Sequence, residues 1–437
     1  MHKSITVALL LASSIGIVGC KETQSGDAQK KADPLSAADH LKAGQALYAP
    51  QGQCDTPTTP FCNSTVPLPA GWQGPVFQLS QNYPTSLVPD QRPWLAIDPK
   101  KNPDAYIRAI LAYFYQGMIT ADPATSFNPA SNKLRSWYHA PWQDFGPNGR
   151  EPIHGLTRER VSLPGELAAE QKSLWNNYAV GFYNAAGGVA FGRVWKNHGA
   201  PDLKAALMPE GAVAGKLLFT TASDAEVPYL AGSPAWQGYI YQDVHLPDSQ
   251  PKPGTPRAVN QLRLLQIDVA VKDRRAGPTG WFFGTFVYGG GPGFPQKGQG
   301  WQNVQPVGLM WGNKLEENWI NPAVKMPHIG WQGRLNGSVD NPKSSCMSCH
   351  STAQYKQGAM VPATEGDPQW FRDIPSGQPF SPGGVSFDYS LQMSLGIANF
   401  LKARQIATAP SAEARQALIQ AEIDKPSTPP RAGGTTH

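Results

Sequence analysis

The chain has 437 residues and a net charge of +5, and 16% of its residues are charged, against roughly 25% in an average soluble protein. Its 44 glycines and 42 prolines form about a fifth of the sequence, where roughly 12% is usual, a balance that suits a loop-rich protein with strands rather than a helical bundle. The basic residues are scattered, which gives no support for a nucleic-acid partner, and no apolar run after residue 20 is long enough to span a bilayer.

Met1-His2-Lys3 is a short basic start, and Ile5 to Val18 is a mostly apolar run too short to cross a membrane. Ile17-Val18-Gly19-Cys20 follows it. The segment resembles the lipobox of bacterial lipoproteins, which implies a signal peptide over residues 1–19, cleavage before Cys20 and a diacylglyceryl group on its thiol. Lys21 is not the aspartate that implies inner-membrane retention in that family. The resemblance therefore implies anchoring to the outer membrane facing the periplasm, with the cell surface as the alternative. An ordinary cleaved signal with a chance cysteine is the plainer reading, and it too exports the chain.

Residues 20–36 are polar and read as a flexible tether, and a helix is predicted from Ala37 to Tyr48. Five cysteines, less Cys20 for lipid and Cys346 and Cys349 for the motif below, leave Cys54 and Cys62. In an oxidising compartment that even remainder predicts a disulfide, whose short loop is worth roughly 2.5 kcal/mol. Asn102-Pro103-Asp104 starts a buried helix, Ala105 to Gln116, stopped by Gly117. A tryptophan-rich irregular segment runs from Trp137 to Arg160. Tyr178 to Tyr183, Val189 to Trp195 and Leu217 to Thr221 read as strands. The strongest β signal is Leu262 to Val271, with Leu265, Ile267, Val269 and Val271 on one face and Gln266 and Asp268 on the other. A charged loop, Lys272 to Pro278, joins it to Thr279 to Tyr288 in a predicted antiparallel hairpin, with Val307 to Trp311 as a further strand. The expected fold class is α+β: an antiparallel-sheet-rich domain over residues 37–335 with peripheral helices, a region over 336–405 that carries the motif below and docks on it, and a helix with a Pro/Gly-rich tail over 406–437.

The stretch Ser344-Ser345-Cys346-Met347-Ser348-Cys349-His350 carries a single Cys-x-x-Cys-His. That spacing lets two sulfurs reach the two vinyl carbons of one porphyrin while the histidine falls beneath the metal, so it predicts one covalent haem c with Cys346 and Cys349 as thioethers and His350 as proximal iron ligand. The alternatives are half of a zinc site, for which a second ligand pair is missing, and a thiol redox pair, which would want a βαβ setting. Asn336 to Pro342 is a loop where a class I cytochrome c has a helix. Ser390 to Arg404 is predicted helical, with an apolar stripe of Leu391, Leu395, Ile397, Phe400 and Leu401.

Residues 261–350 also resemble the sheet-based cytochrome c-prime-beta family and its hydroxylamine-oxidising relatives, through Val271-Lys272-Asp273, Thr279-Gly280-Trp281 and Cys346 to His350. The relatives crosslink their haem to a lysine, and no lysine of this chain is assigned that role. The chain departs from the family in its longer N-terminal part and its extended tail. Gly280 and Gly284 strip one face of an aromatic strand, which suits either the approach of a flat macrocycle or plain relief of crowding.

The sixth iron ligand is open between Met360 and Met393, with His139, His154 and His328 as other candidates. Arg150, Arg158, Arg160 and Arg334 are candidate propionate clamps. Two functions follow. One is a membrane-anchored electron carrier working with a redox partner protein. The other is a haem-dependent oxidoreductase or small-ligand binder with an open distal site, acting on peroxide, a nitrogen oxide or a hydroxylamine-like substrate. A third reading, a scaffold whose many tryptophans contact glycans or partners, leaves the haem as a redox reporter.

Overall fold

The computed structural model describes residues 35–48, 61–146, 149–245, 251–290, 300–325, 329–356 and 367–424. The signal segment, nearly all of the tether, Cys20, Cys54, His328 and Met360 lie outside them. In chain order the elements are α1 (Ala37–Leu47), α2 (Pro103–Tyr115), β1 (Trp137–Tyr138), β2 (Thr157–Arg158), β3 (Asn177–Asn184), α3 (Ala185–Val194), β4 (Val213–Thr220), β5 (Ala235–Tyr241), β6 (Arg257–Lys272), β7 (Trp281–Tyr288), β8 (Val304–Met310), β9 (Asn318–Ile320), α4 (Cys346–His350), β10 (Gln354–Tyr355), β11 (Val385–Ser386), α5 (Leu391–Ala407) and α6 (Ala412–Asp424). Nine strands build one antiparallel sheet in the order β1-β3-β4-β6-β7-β8-β9, with β2 also paired to β3 and β5 to β6. An antiparallel sheet with peripheral helices is the α+β class that the alternating patterns predict. Among the described residues no helix is long and apolar enough to cross a membrane.

Strand β6 is long enough to pair with three strands, β5 along its first half and β4 and β7 along its second. A bulge interrupts it. Leu218 of β4 faces Gln266 and Phe219 faces Leu264, so Leu265 has no partner opposite and turns to the other side of the sheet. Leu265 was expected to share a face with Ile267, Val269 and Val271, and the bulge instead places it in the opposite core, leaving Leu262 and Leu264 to accompany those three.

One face of the sheet is covered by α2. Asn102 and Pro103 start that helix as predicted, and its apolar side, Tyr106, Ile107, Ile110, Leu111 and Phe114, packs on Phe182, Leu217, Val269, Phe282 and Phe286. The helix sits close because the sheet lacks side chains beneath it: a β-carbon on Gly284 would stand 2.3 Å from Ile107 Cδ1, and one on Gly215 2.5 Å from Phe114 Cζ. Gly284 therefore clears room for a helix and not for a macrocycle, and Gly280, at φ +67°, serves a turn. Tyr106 Oη also donates to Asp273 at 2.9 Å, which ties α2 to the loop between β6 and β7.

The other face carries α3, α5 and the loops around α4. Val189 to Trp195, expected as a strand, lies mostly within the helix α3. Its alternation of apolar and small residues is overridden by Asn184, whose side chain accepts from Gly187 N at 3.1 Å and from Val213 N at 3.0 Å, ending β3 and capping the helix in one step. Helix α5 forms as predicted, capped by Ser390, but its buried side is Met393, Gly396, Ile397, Phe400 and Ala403. Leu401, expected in the apolar stripe, is exposed. Helix α6 follows, burying Ile419 and Ile423, with Glu422 paired to Lys402 of α5 at 2.6 Å.

Candidate cofactor-attachment site

The Cys-x-x-Cys-His segment is itself the five-residue helix α4. Ser345 caps it: its hydroxyl accepts from Ser348 N at 3.1 Å, and Ser348 Oγ accepts from Ser345 N at 2.8 Å. One helical turn puts Cys346, Cys349 and His350 on neighbouring corners, which is the local geometry that a two-point attachment with an adjacent ligand requires. Met347, fully buried, anchors the turn in the core. No helix leads into it. Residues 336–345 arrive as a loop pinned to the sheet, with Ser338 N donating to Gln266 Oε1 at 2.8 Å and Cys346 N to Leu335 O at 3.0 Å.

His350 Nδ1 lies 2.8 Å from the carbonyl oxygen of Tyr389. A carbonyl only accepts, so Nδ1 carries the proton and Nε2 the lone pair. The imidazole ring also packs 4.7 Å from the Phe283 ring of β7. The proton-bearing nitrogen and the ring orientation are thus set by residues far away in sequence.

The sheet beside α4 presents a transverse row in which Gly181, Lys216, Asp268, Thr285 and Gly308 stand on neighbouring strands, flanked by the row Tyr183, Ala214, Ala270, Phe283 and Met310. These are interior strands, yet Gly181, Ala214, Lys216, Asp268 and Ala270 are each only half-buried, while Leu218, Gln266 and Val287 in the next row are fully covered. A patch that includes the small residues Ala214 and Ala270, only partly covered by the described residues, lies on the sheet face that borders the half-buried Cys346 and His350. Such a cradle fits the edge or face of a planar ring system.

Around the cradle lies a polar group. Asp268 accepts from Thr285 Oγ1 at 2.8 Å and Gln266 Nε2 at 2.7 Å, and Thr285 Oγ1 stands 4.0 Å from Cys346 Sγ. Desolvation, then the neighbouring Asp340 carboxylate, pushes Asp268 up to about 7 against the counter-pull of Lys216. Burial would lower the Lys216 ammonium, but Glu159, 2.9 Å away, together with Asp340 and Asp268 holds it above its ordinary value. The Cys346 thiol is raised well above its usual range, first by desolvation and then by Asp268 and Asp340. A redox-active dithiol needs the reverse, a depressed thiol pKa. Neither Cys346 nor Cys349 is in a disulfide, and among the described residues no group of three His, Cys, Asp or Glu residues is arranged to hold a metal ion.

Met393 is buried on the same side of the sheet as α4, in the cluster that holds Met347 and Phe387. His139 and His154 are on the other side. His139 packs 5.1 Å from Phe182 and accepts from Ser80 N, and burial pushes it well below its usual pKa; His154 stacks at 4.3 Å on Trp236 with both ring nitrogens on backbone carbonyls. The arginines are committed elsewhere: Arg150 to Asp144, Arg160 to Glu166, Arg158 to the His245 carbonyl and Arg334 to the Asn313 carbonyl. Cys62 is disulfide-bonded.

The sequence marks the Cys-x-x-Cys-His motif but neither its helical form nor its surroundings. Lys216 in mid-strand and Asp268 at the centre of the best β pattern were the available signals, since a charge on a central strand needs a reason. No family model, curated protein or solved structure matches this chain.

Proposed function

We propose that the chain is an exported, lipid-anchored monohaem c-type cytochrome whose general role is electron transfer with a redox partner at the membrane surface. Cys346 and Cys349 would hold the group by thioethers and His350 would supply the proximal nitrogen. The observation that carries this reading is the hydrogen bond from His350 Nδ1 to the Tyr389 carbonyl, because it selects the tautomer with its lone pair on Nε2 and does so on a motif flanked by a cradle of small residues. The group, when bound, supplies a one-electron couple at the iron. The chain's own part is to hold the imidazole, cover one side of the ring with Phe283 and set the local charge through Lys216, Asp268 and Asp340. Anchoring through Cys20 rests on the lipobox resemblance.

A second reading, a haem enzyme acting on peroxide, a nitrogen oxide or a hydroxylamine-like substrate, draws on the same polar group, since a carboxyl held near neutral pKa beside an attachment cysteine can exchange a proton. The deciding experiment is haem staining after denaturing electrophoresis of the full chain expressed with a cytochrome c maturation system. Wild type should stain and Cys346→Ala/Cys349→Ala should not; persistent staining of the double variant would overturn the assignment. Rapid carbon monoxide binding by the ferrous protein favours the enzyme reading, and refusal of it the carrier.

A further inference from the structure

The carbonyl that meets His350 belongs to an unusual turn. Asp388 and Tyr389 are consecutive non-glycine residues with φ of +47° and +71°, a left-handed pair that a tyrosine seldom adopts without outside support. A network of hydrogen bonds supplies that support. The Asp388 carboxylate accepts from Lys272 Nζ at 2.7 Å, Met208 N at 3.0 Å, Ser376 Oγ at 2.9 Å and Gly377 N at 3.1 Å, and the Asp388 amide donates to Ser386 Oγ at 3.0 Å. Lys272 Nζ donates to Ser376 Oγ as well. Tyr389 Oη donates to the Ile374 carbonyl at 2.6 Å, so the residue is tethered at both ends.

The ion pair is deeply buried, with side-chain exposures of 7% for Lys272 and 0% for Asp388. A buried pair gains little net stability over apolar residues of the same size, so its presence asks for a positional reason. Lys272 ends β6, the strand that also carries Asp268 and Ala270, and its ammonium sits 5.1 Å over Trp281 of β7. The rigid centre of the sheet is thereby connected to the turn, and the turn to the imidazole.

We infer that Lys272 and Asp388 are positioning residues for His350: their ion pair holds the Asp388–Tyr389 turn left-handed so that the Tyr389 carbonyl receives the Nδ1 proton. The inference rests on the haem reading above and goes beyond it by assigning the sheet-to-turn ion pair the control of that hydrogen bond. A strong Nδ1–H···O bond gives the imidazole partial imidazolate character, which favours ferric iron. Loosening the turn weakens the bond, and the midpoint potential should rise.

The test uses the full-length, haem-loaded chain with Lys272→Met, Asp388→Asn and the milder Ser376→Ala. The readouts are the midpoint potential and, if the ferrous protein binds carbon monoxide, the iron–histidine stretching frequency, recorded by resonance Raman after photolysis of that complex; if it does not, the potential alone decides. The first two variants should raise the potential and lower the frequency, and Ser376→Ala should move both the same way by less. Asp144→Asn, which breaks the buried pair with Arg150 on another part of the fold, should destabilise the protein and move neither. Wild-type values in a folded Lys272→Met or Asp388→Asn protein would overturn the inference while leaving the haem assignment intact. If both fail to fold, an unshifted Ser376→Ala overturns it. A wild-type chain that never stains for haem fails the underlying reading instead.

Discussion

Ile107 of α2 and Gly284 of β7 are matched by subtraction: the Ile107 Cδ1 methyl occupies the space where a β-carbon on residue 284 would stand, 2.3 Å away. The helix has approached a strand until only hydrogen fits between them. Gly284→Ala should therefore force α2 off the sheet and lower the unfolding free energy by about 1–3 kcal/mol, measured by urea denaturation. Ile107→Ala alone should cost about 2–5 kcal/mol through its cavity. The double variant should cost clearly less than the sum, because the added methyl partly fills the removed one's place. Additive losses would mean that the two residues do not share that space.

Asp268 makes stability depend on pH in a definite direction. Its unfolded carboxyl titrates near 3.8 and its folded one is pushed up to about 7, by burial first and by Asp340 second. Between those values the folded state binds a proton that the unfolded state does not, so stability falls as pH rises through the window and levels off above it. Asp268→Asn removes that dependence. Its urea midpoint should match wild type below about pH 4, exceed it increasingly up to about pH 7 and keep a constant advantage above that. An advantage that does not grow within that window would contradict the raised carboxyl.

What was legible in the sequence were features whose cause is local. The β6–β7 hairpin follows from alternation, α2 from Asn102-Pro103 and its apolar side, and the Cys346 to His350 motif, though not its helix, from three residue types at fixed offsets. What was not legible depends on partners remote in the chain. The bulge at Leu265 exists only in the pairing of β6 with β4. Helix α3 imitates a strand until Asn184 is seen to serve both Gly187 and Val213. The cradle gathers Gly181, Ala214, Lys216, Asp268 and Ala270 from three strands, none remarkable alone, and Tyr389 lies 39 residues from the histidine it orients.

The sixth coordination position divides the two functional readings. Met393→Ala should cost about 2–5 kcal/mol of stability whatever its role, because the side chain is buried in the core on the α4 side of the sheet. The spectroscopic outcome is separate. In the carrier reading, either Met360→Ala or Met393→Ala should convert the iron from six- to five-coordinate and lower its potential, since thioether ligation favours the ferrous state. With His139 and His154 on the far side of the sheet, a six-coordinate spectrum that survives both substitutions would leave His328 as the histidine to test.

The two sides of the sheet should respond oppositely to added bulk. Ala270 of β6 is half-buried between Ala214 and Phe283, on the face that borders Cys346 and His350, and the described residues cover it only in part. A phenylalanine there suits a strand by propensity at a half-buried position, so Ala270→Phe should change the unfolding free energy of the haem-free chain by less than about 1 kcal/mol. It would, however, stand up from the flat patch where a planar ring must approach. Haem staining per mole of Ala270→Phe should therefore drop severalfold, although both cysteines and His350 are intact. Gly284→Ala should show the reverse pattern, a stability loss with staining per folded molecule unchanged, because its methyl points at Ile107 on the opposite face. If Ala270→Phe stains like wild type while remaining folded, the patch of small residues is not the macrocycle's seat, and attachment would have to occur with the ring directed away from the sheet.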